Sequence, residues 1–126
     1  MTPEEQELTE TIRDMVHKSH AGEMTWTRSN PTTFTWARKW DDREGARITI
    51  QKATKRKPSR SPSGVRMQLV EQYIFQVLDL STGGAMVSIS SDENPNFHES
   101  LAGLYNAAST NITKKGLGFL KRAIRD

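Results

Sequence analysis

Histidines, paired carboxylates and serines are the residues with which a short chain does chemistry, and their spacing decides whether they can act together. His17 and His20 are three apart, with Asp14 three residues before them. On a helix the three share one face, a spacing that suits part of a metal site. Such a site also needs a third or fourth ligand and an oriented outer shell, and no His-Glu-x-x-His or comparable motif occurs. The pair therefore reads as surface or helix-end histidines, and the isolated His98 as structural. Asp41-Asp42 and Asp92-Glu93 pair carboxylates, but in stretches of turn composition, where aspartate serves the local backbone. General acid–base use requires convergence in a cleft. No serine sits in a Gly-x-Ser-x-Gly elbow, and Gly83-Gly84 lacks the Lys-Ser/Thr continuation of a phosphate loop. The expectation is a non-enzymatic chain without a cofactor or a metal.

Charge and aromatic side chains point instead to recognition. The net charge is only +3, but Lys52, Lys55, Arg56, Lys57 and Arg60 cluster in one segment, and Lys114, Lys115, Lys121, Arg122 and Arg125 gather at the C-terminus. A basic cluster attracts phosphates, RNA or an acidic protein surface through counterion release; the plainer reading is a solvated hairpin tip. Trp26, Phe34, Trp36 and Trp40 form an aromatic row with Arg28 and Arg38 on the same faces, a combination that stacks on bases or nucleotides. Large aromatics also fill the space between a sheet and its helices, which is the reading favoured for Trp26 and Phe34. Trp40, beside Asp41-Asp42, is expected to be partly exposed.

The elements that must position these groups follow from periodicity. The chain has 126 residues, enough for one core. It has no cysteine, which removes disulfides, thiolate nucleophiles and Cys-based metal sites. The start is acidic rather than a basic leader, and no apolar run approaches the roughly 20 residues a bilayer requires, so the expectation is a cytoplasmic protein without a membrane partner. Thr2 and Glu5 form a capping box around Pro3, and Leu8, Ile12, Met15 and Val16 make an apolar stripe, predicting a helix over about 3–20. The period then becomes two. Met24, Trp26 and Arg28 mark a first strand; Phe34, Trp36, Arg38 and Trp40 a second; Ile48 and Ile50 a third. Residues 54–64, rich in proline and serine among basic residues, predict a long, exposed, mobile hairpin loop. A fourth strand runs from Val65 to Leu80, is apolar on both faces near Tyr73-Ile74-Phe75, and is expected to be central. Ser81 to Gly84 form a turn before a fifth strand at Ala85, Val87 and Ile89. Asn94-Pro95 opens a helix carrying Phe97, Leu101, Leu104, Tyr105 and Ala108, and Thr113 caps another carrying Leu117, Leu120 and Ile124. The predicted fold is a single α+β domain over 1–126, ordered α-β-β-β-β-β-α-α: a five-stranded antiparallel meander covered by an N-terminal helix and a C-terminal helical pair.

Ala21-Gly22-Glu23-Met24-Thr25-Trp26, then Tyr73 to Leu80 leading into a glycine turn, then Leu101-Ala102-Gly103-Leu104-Tyr105-Asn106-Ala107-Ala108, resemble a pattern seen in small uncharacterised bacterial and phage α+β proteins. That resemblance implies the fold and a microbial origin, and no reaction. The functional expectation is a small binding or adaptor protein that recognises another macromolecule through the basic loop and an exposed sheet edge or aromatic patch. The partner would be a protein, or a second copy of the chain in a homo-oligomer, by β-augmentation or self-association. The alternatives are nucleic-acid binding by a basic-aromatic sheet surface and capture of a small anionic nucleotide. The candidate contact residues are Lys52, Lys55, Arg56, Lys57, Arg60, Arg28, Arg38, Trp36 and Trp40.

Overall fold

A computed structural model describes residues 2–125. Thr2 caps the first helix, α1 (Pro3–His20): its Oγ1 accepts a hydrogen bond from the Glu5 N–H at 3.2 Å, while Pro3 occupies a position where a missing N–H costs nothing. Gly22, at φ +80°, lets the chain turn out of the helix. Five antiparallel strands follow: β1 (Thr27–Asn30), β2 (Thr33–Lys39), β3 (Gly45–Ser61), β4 (Gly64–Asp79) and β5 (Ala85–Ser90). They pair in chain order as an open meander. A single 3₁₀ turn (Pro95–Phe97) leads into α2 (His98–Arg125). The α+β class and the meander are as predicted.

Period-two alternation gives the sheet two unlike faces. Phe34, Ile50, Phe75 and Ile89 are aligned across β2 to β5, and they pack with Ile12, Met15, Trp26, Leu101 and Leu104 into one core. The other face carries the aligned Thr27, Thr35, Thr49, Gln76 and Ser88, the polar solvent side of an antiparallel sheet covered on one side only. β3 is the middle strand by position, where β4 was expected. β4's run of apolar residues reflects its pairing with β5 beside the core rather than a central place.

Three expectations are corrected. The 54–64 segment is not a loop. β3 and β4 continue pairing up to Ser61↔Gly64 around a two-residue turn, Pro62-Ser63. Proline and serine misled because a strand with an open side tolerates Pro58, whose missing N–H can face outward. The helical pair is one continuous helix. Thr113 donates its hydroxyl hydrogen bond to the Ser109 carbonyl at 3.0 Å, one turn back, as a mid-helix threonine does, and caps nothing. The stripe of Leu117, Leu120 and Ile124 covers no part of the sheet, and α2 is exposed throughout from Thr113. Finally, β1 begins at Thr27, so Met24 and Trp26 precede the ladder instead of sitting in it.

That segment is held by side chains. Ser19, buried at the end of α1, donates to the Met15 carbonyl at 2.8 Å and accepts from the Trp26 indole N–H at 2.8 Å. Asn111 of α2 accepts from the Trp26 backbone N–H at 3.1 Å. Its amide group donates to the carbonyls of Ser19 and Met24, both at 2.9 Å. One side chain thus fastens the α1–β1 connection to α2.

Candidate macromolecular interface

β2 stops pairing with β3 at Thr33↔Gln51, and β5 stops pairing with β4 at Ile74↔Ser90. Lys52 still donates its N–H to the Thr32 carbonyl at 3.0 Å and the Tyr73 carbonyl still accepts from the Ser91 N–H at 2.9 Å, after which β3 and β4 pair only with each other. From Ala53↔Gln72 to Ser61↔Gly64, nine cross-strand pairs form a two-stranded ribbon of roughly 30 Å at about 3.3 Å per residue. Its two faces follow from register. One face aligns Arg56 with Leu69, Pro58 with Met67 and Arg60 with Val65, so a cation and proline row on β3 lies beside an aliphatic row on β4. The other aligns Lys55 with Val70, Lys57 with Gln68 and Ser59 with Arg66. From Ala53 to Val70 there are five cations and no carboxylate.

The base of the ribbon is pinned by charge. Asp92, just past β5, has a side chain only 9% exposed and is approached by Lys57 and, at 3.2 Å, by Lys55. The hydrogen bond from Lys57, supported by that from Lys55, holds the Asp92 carboxyl below the ordinary carboxylate range despite the opposing effect of burial. Lys52 pairs with Glu71 at 3.5 Å and lies 6.0 Å from the centre of the Tyr105 ring. Arg56, Arg60 and Arg66 are exposed, with no carboxylate within 4 Å among the described residues. Of the predicted cations, the structure therefore spends three on fixing the ribbon and leaves Arg56 and Arg60 available. Arg66, on β4, was not singled out in the sequence; its signal was its place in an alternating run flanking the basic segment.

Pinning by Asp92 has a pH consequence. A carboxylate whose folded pKa lies below its unfolded value, near 3.9, stabilises the fold above that value and loses the contribution as pH falls through the folded pKa. The stability advantage of the natural chain over Asp92→Asn is expected to be level from pH 7 down to about 5 and to shrink below about 4. Thermal unfolding of both proteins across that range checks it; an equal difference at pH 7 and pH 2 would contradict the pinning.

The remaining predicted contact residues lie elsewhere. Arg28 stacks 5.2 Å over the centre of the Phe34 ring on β1–β2. Arg38 pairs with Ala46 at the end of the sheet away from the ribbon, about 30 Å along β3 from Lys55. Trp36 is half-buried against the core. Trp40 is exposed, its indole N–H donating to Glu44 at 3.0 Å. The basic segment and the aromatic row therefore do not make one surface. His17 and His20 are exposed on α1, while His98 meets the Tyr73 ring edge-on at 5.5 Å between centres. Among the described residues no group of three or more histidines, aspartates or glutamates is placed to hold a metal ion, and no helix is long and apolar enough to cross a membrane.

Comparison with known proteins finds no matching family model, no matching curated protein and no matching solved structure.

Proposed function

We propose that this chain is a non-enzymatic binding protein that recognises another macromolecule with its ribbon. The observation that carries this reading is the exposure of Val65, Met67 and Leu69, which are 66%, 61% and 68% accessible in a row along one face of a ribbon tied to the rest of the domain, among the described residues, only near its base, where Lys55 and Lys57 meet Asp92. An isolated two-stranded hairpin is marginal in water. Three aligned aliphatic side chains left in solvent weaken it further, because their burial on a partner is worth about 25 cal/mol per Å². An element of this kind is supported by what it binds. β-Augmentation along β3 is disfavoured by Pro58 and the flanking cations, which are the devices that blunt an open edge. The faces, rather than the edges, are the contact surface.

Shortening the hairpin tests this directly. Replacing residues 54–71 with Asn-Gly joins Ala53 to Gln72 through a two-residue turn that suits antiparallel strands and leaves the core residues in place. The full-length chain is expected to retain a bound macromolecule when purified from host lysate, and the shortened chain to lose it while still unfolding cooperatively. Retention by both proteins, or by neither, would overturn the reading.

A further inference from the structure

We infer that the macromolecule gripped by the ribbon is a B-form duplex, with the ribbon lying in its major groove. This deepens the ribbon reading and rests on it. Three observations favour this occupant. The first is charge: of the five cations over Ala53–Val70, Lys55 and Lys57 share Asp92, and Arg56, Arg60 and Arg66 are left without a carboxylate among the described residues, which complements a polyanion that carries one charge per about 1.7 Å of axis. The second is shape. Two strands about 4.8 Å apart with side chains on both faces make a slab roughly 10 Å wide, and the major groove, about 12 Å wide, admits a two-stranded ribbon. Its length of roughly 30 Å is close to one duplex turn of about 34 Å.

The third is the pairing on a single face of Arg56 with Leu69 and of Arg60 with Val65, with Pro58 and Met67 between them. A groove floor offers thymine methyls that suit the aliphatic row on β4, and the phosphates beside it suit the arginines of the neighbouring row on β3. Phosphate oxygens on the groove walls suit Arg66 and the hydroxyls of Ser59, Ser61 and Ser63 near the tip.

The chain's own surfaces fit less well. The exposed end of α2 also bears five cations and no carboxylate between Ser100 and Arg125, so ribbon and helix end repel each other. The acidic start of α1, with Glu4, Glu5, Glu7 and Glu10, offers charge but only the half-buried Leu8 to cover an aliphatic row.

Anisotropy of a labelled 24-bp mixed-sequence DNA duplex, titrated with the full-length chain from 50 to 200 mM salt, tests the inference. At a slope of about −0.9 per neutralised phosphate, the three unpaired arginines alone give a log–log slope of about −2.7, or a loss of about 40-fold over that range. The variant Arg56→Ser, Arg60→Ser, Arg66→Ser changes exposed residues only and is expected to fold normally. It should flatten the slope by two to three units, at about one per phosphate-contacting cation. Met67→Ser with Leu69→Ser should weaken binding at every salt concentration and leave the slope unchanged.

Absence of duplex binding at 50 mM salt, with lysate capture still dependent on the ribbon, would overturn the duplex and leave the ribbon reading standing. An unchanged slope in the triple variant would place the contact elsewhere and overturn the inference. Equal affinity for duplex RNA or for phosphatidylserine vesicles would reduce the interaction to unselective charge and overturn the groove. Salt-sensitive self-association without duplex binding would assign the ribbon to a second copy.

Discussion

Trp26→Ala is expected to remove about 4 kcal/mol of unfolding free energy, the range found for large aromatic truncations in a packed core. Trp26 is fully buried and belongs to the same cluster as Ile12, Phe34, Leu101 and Leu104. It sits where α1, β1 and α2 meet, so no single neighbour can relax into the space. The vacated volume would also be lined by the Ser19 hydroxyl, whose acceptor side now meets the indole N–H at 2.8 Å. For a domain whose total stability is of the order of 5–15 kcal/mol, the loss brings the variant close to unfolding at 37 °C and lowers Tm by about 12–20 °C. Trp26→Phe separates the two contributions: it keeps most of the apolar volume, removes the indole donor, and should cost less than half as much. Urea unfolding of the three proteins is the measurement, and equal midpoints for Trp26→Ala and the natural chain would contradict the packing described.

Asn111→Leu is the second large effect, expected at about 3 kcal/mol. The change keeps the branching and heavy-atom count of the side chain and improves intrinsic helix propensity, so a helix-centred view predicts stabilisation. The hydrogen bonds predict the reverse. Two backbone groups, the Trp26 N–H and the Met24 carbonyl, lose their partner together, and the Ser19 carbonyl keeps only the longer bond from the Gly22 N–H at 3.3 Å; each orphaned group costs about 1 kcal/mol or more where water has limited access. The Trp26 amide is the specific reporter. Its hydrogen exchange should be slow in the natural chain and among the most accelerated in the variant, whereas exchange in the middle of β3 should follow the global stability change alone. A variant as stable as the natural chain would remove Asn111 from the role given to it here.

The same residues explain what the amino-acid sequence discloses and what it hides. Thr2, Pro3 and Glu5 read correctly as the start of α1 because capping is local, decided within four residues. The alternation in β2 and β5 is legible because Phe34 and Trp36, and likewise Val87 and Ile89, pack on the core side while their neighbours face water. Residues 54–64 read as a loop because proline, serine and lysine are the composition of both a mobile loop and a ribbon in water on both faces; what distinguishes them is the register with β4, set far away where Ile50 meets Phe75. The α2 stripe beyond Asn111 read as core because periodicity reports amphipathicity and not what lies opposite. Asn111 itself carries a signal in the sequence: it falls seven residues after Leu104 and three after Ala108, so a polar side chain stands on the helix's apolar face, where a buried hydrogen-bonding task is the usual reason. As for the candidate site, the clustered cations were legible. That Lys52, Lys55 and Lys57 serve Glu71 and Asp92 while the arginines stay free was not, because Asp92 reaches the ribbon only through the fold.

That division of labour makes hydrogen exchange on the full-length chain, with and without a saturating 24-bp DNA duplex at 50 mM salt, the most direct measurement. Without duplex, amides between Ala53 and Gln72 should exchange fastest among the strands, since a two-stranded ladder wetted on both faces opens at little free-energy cost. With duplex, protection should rise along that ribbon and change little in β1, β2 and β5. Protection gained at the sheet edges or the exposed end of α2, with the ribbon unchanged, would contradict the ribbon as the binding element.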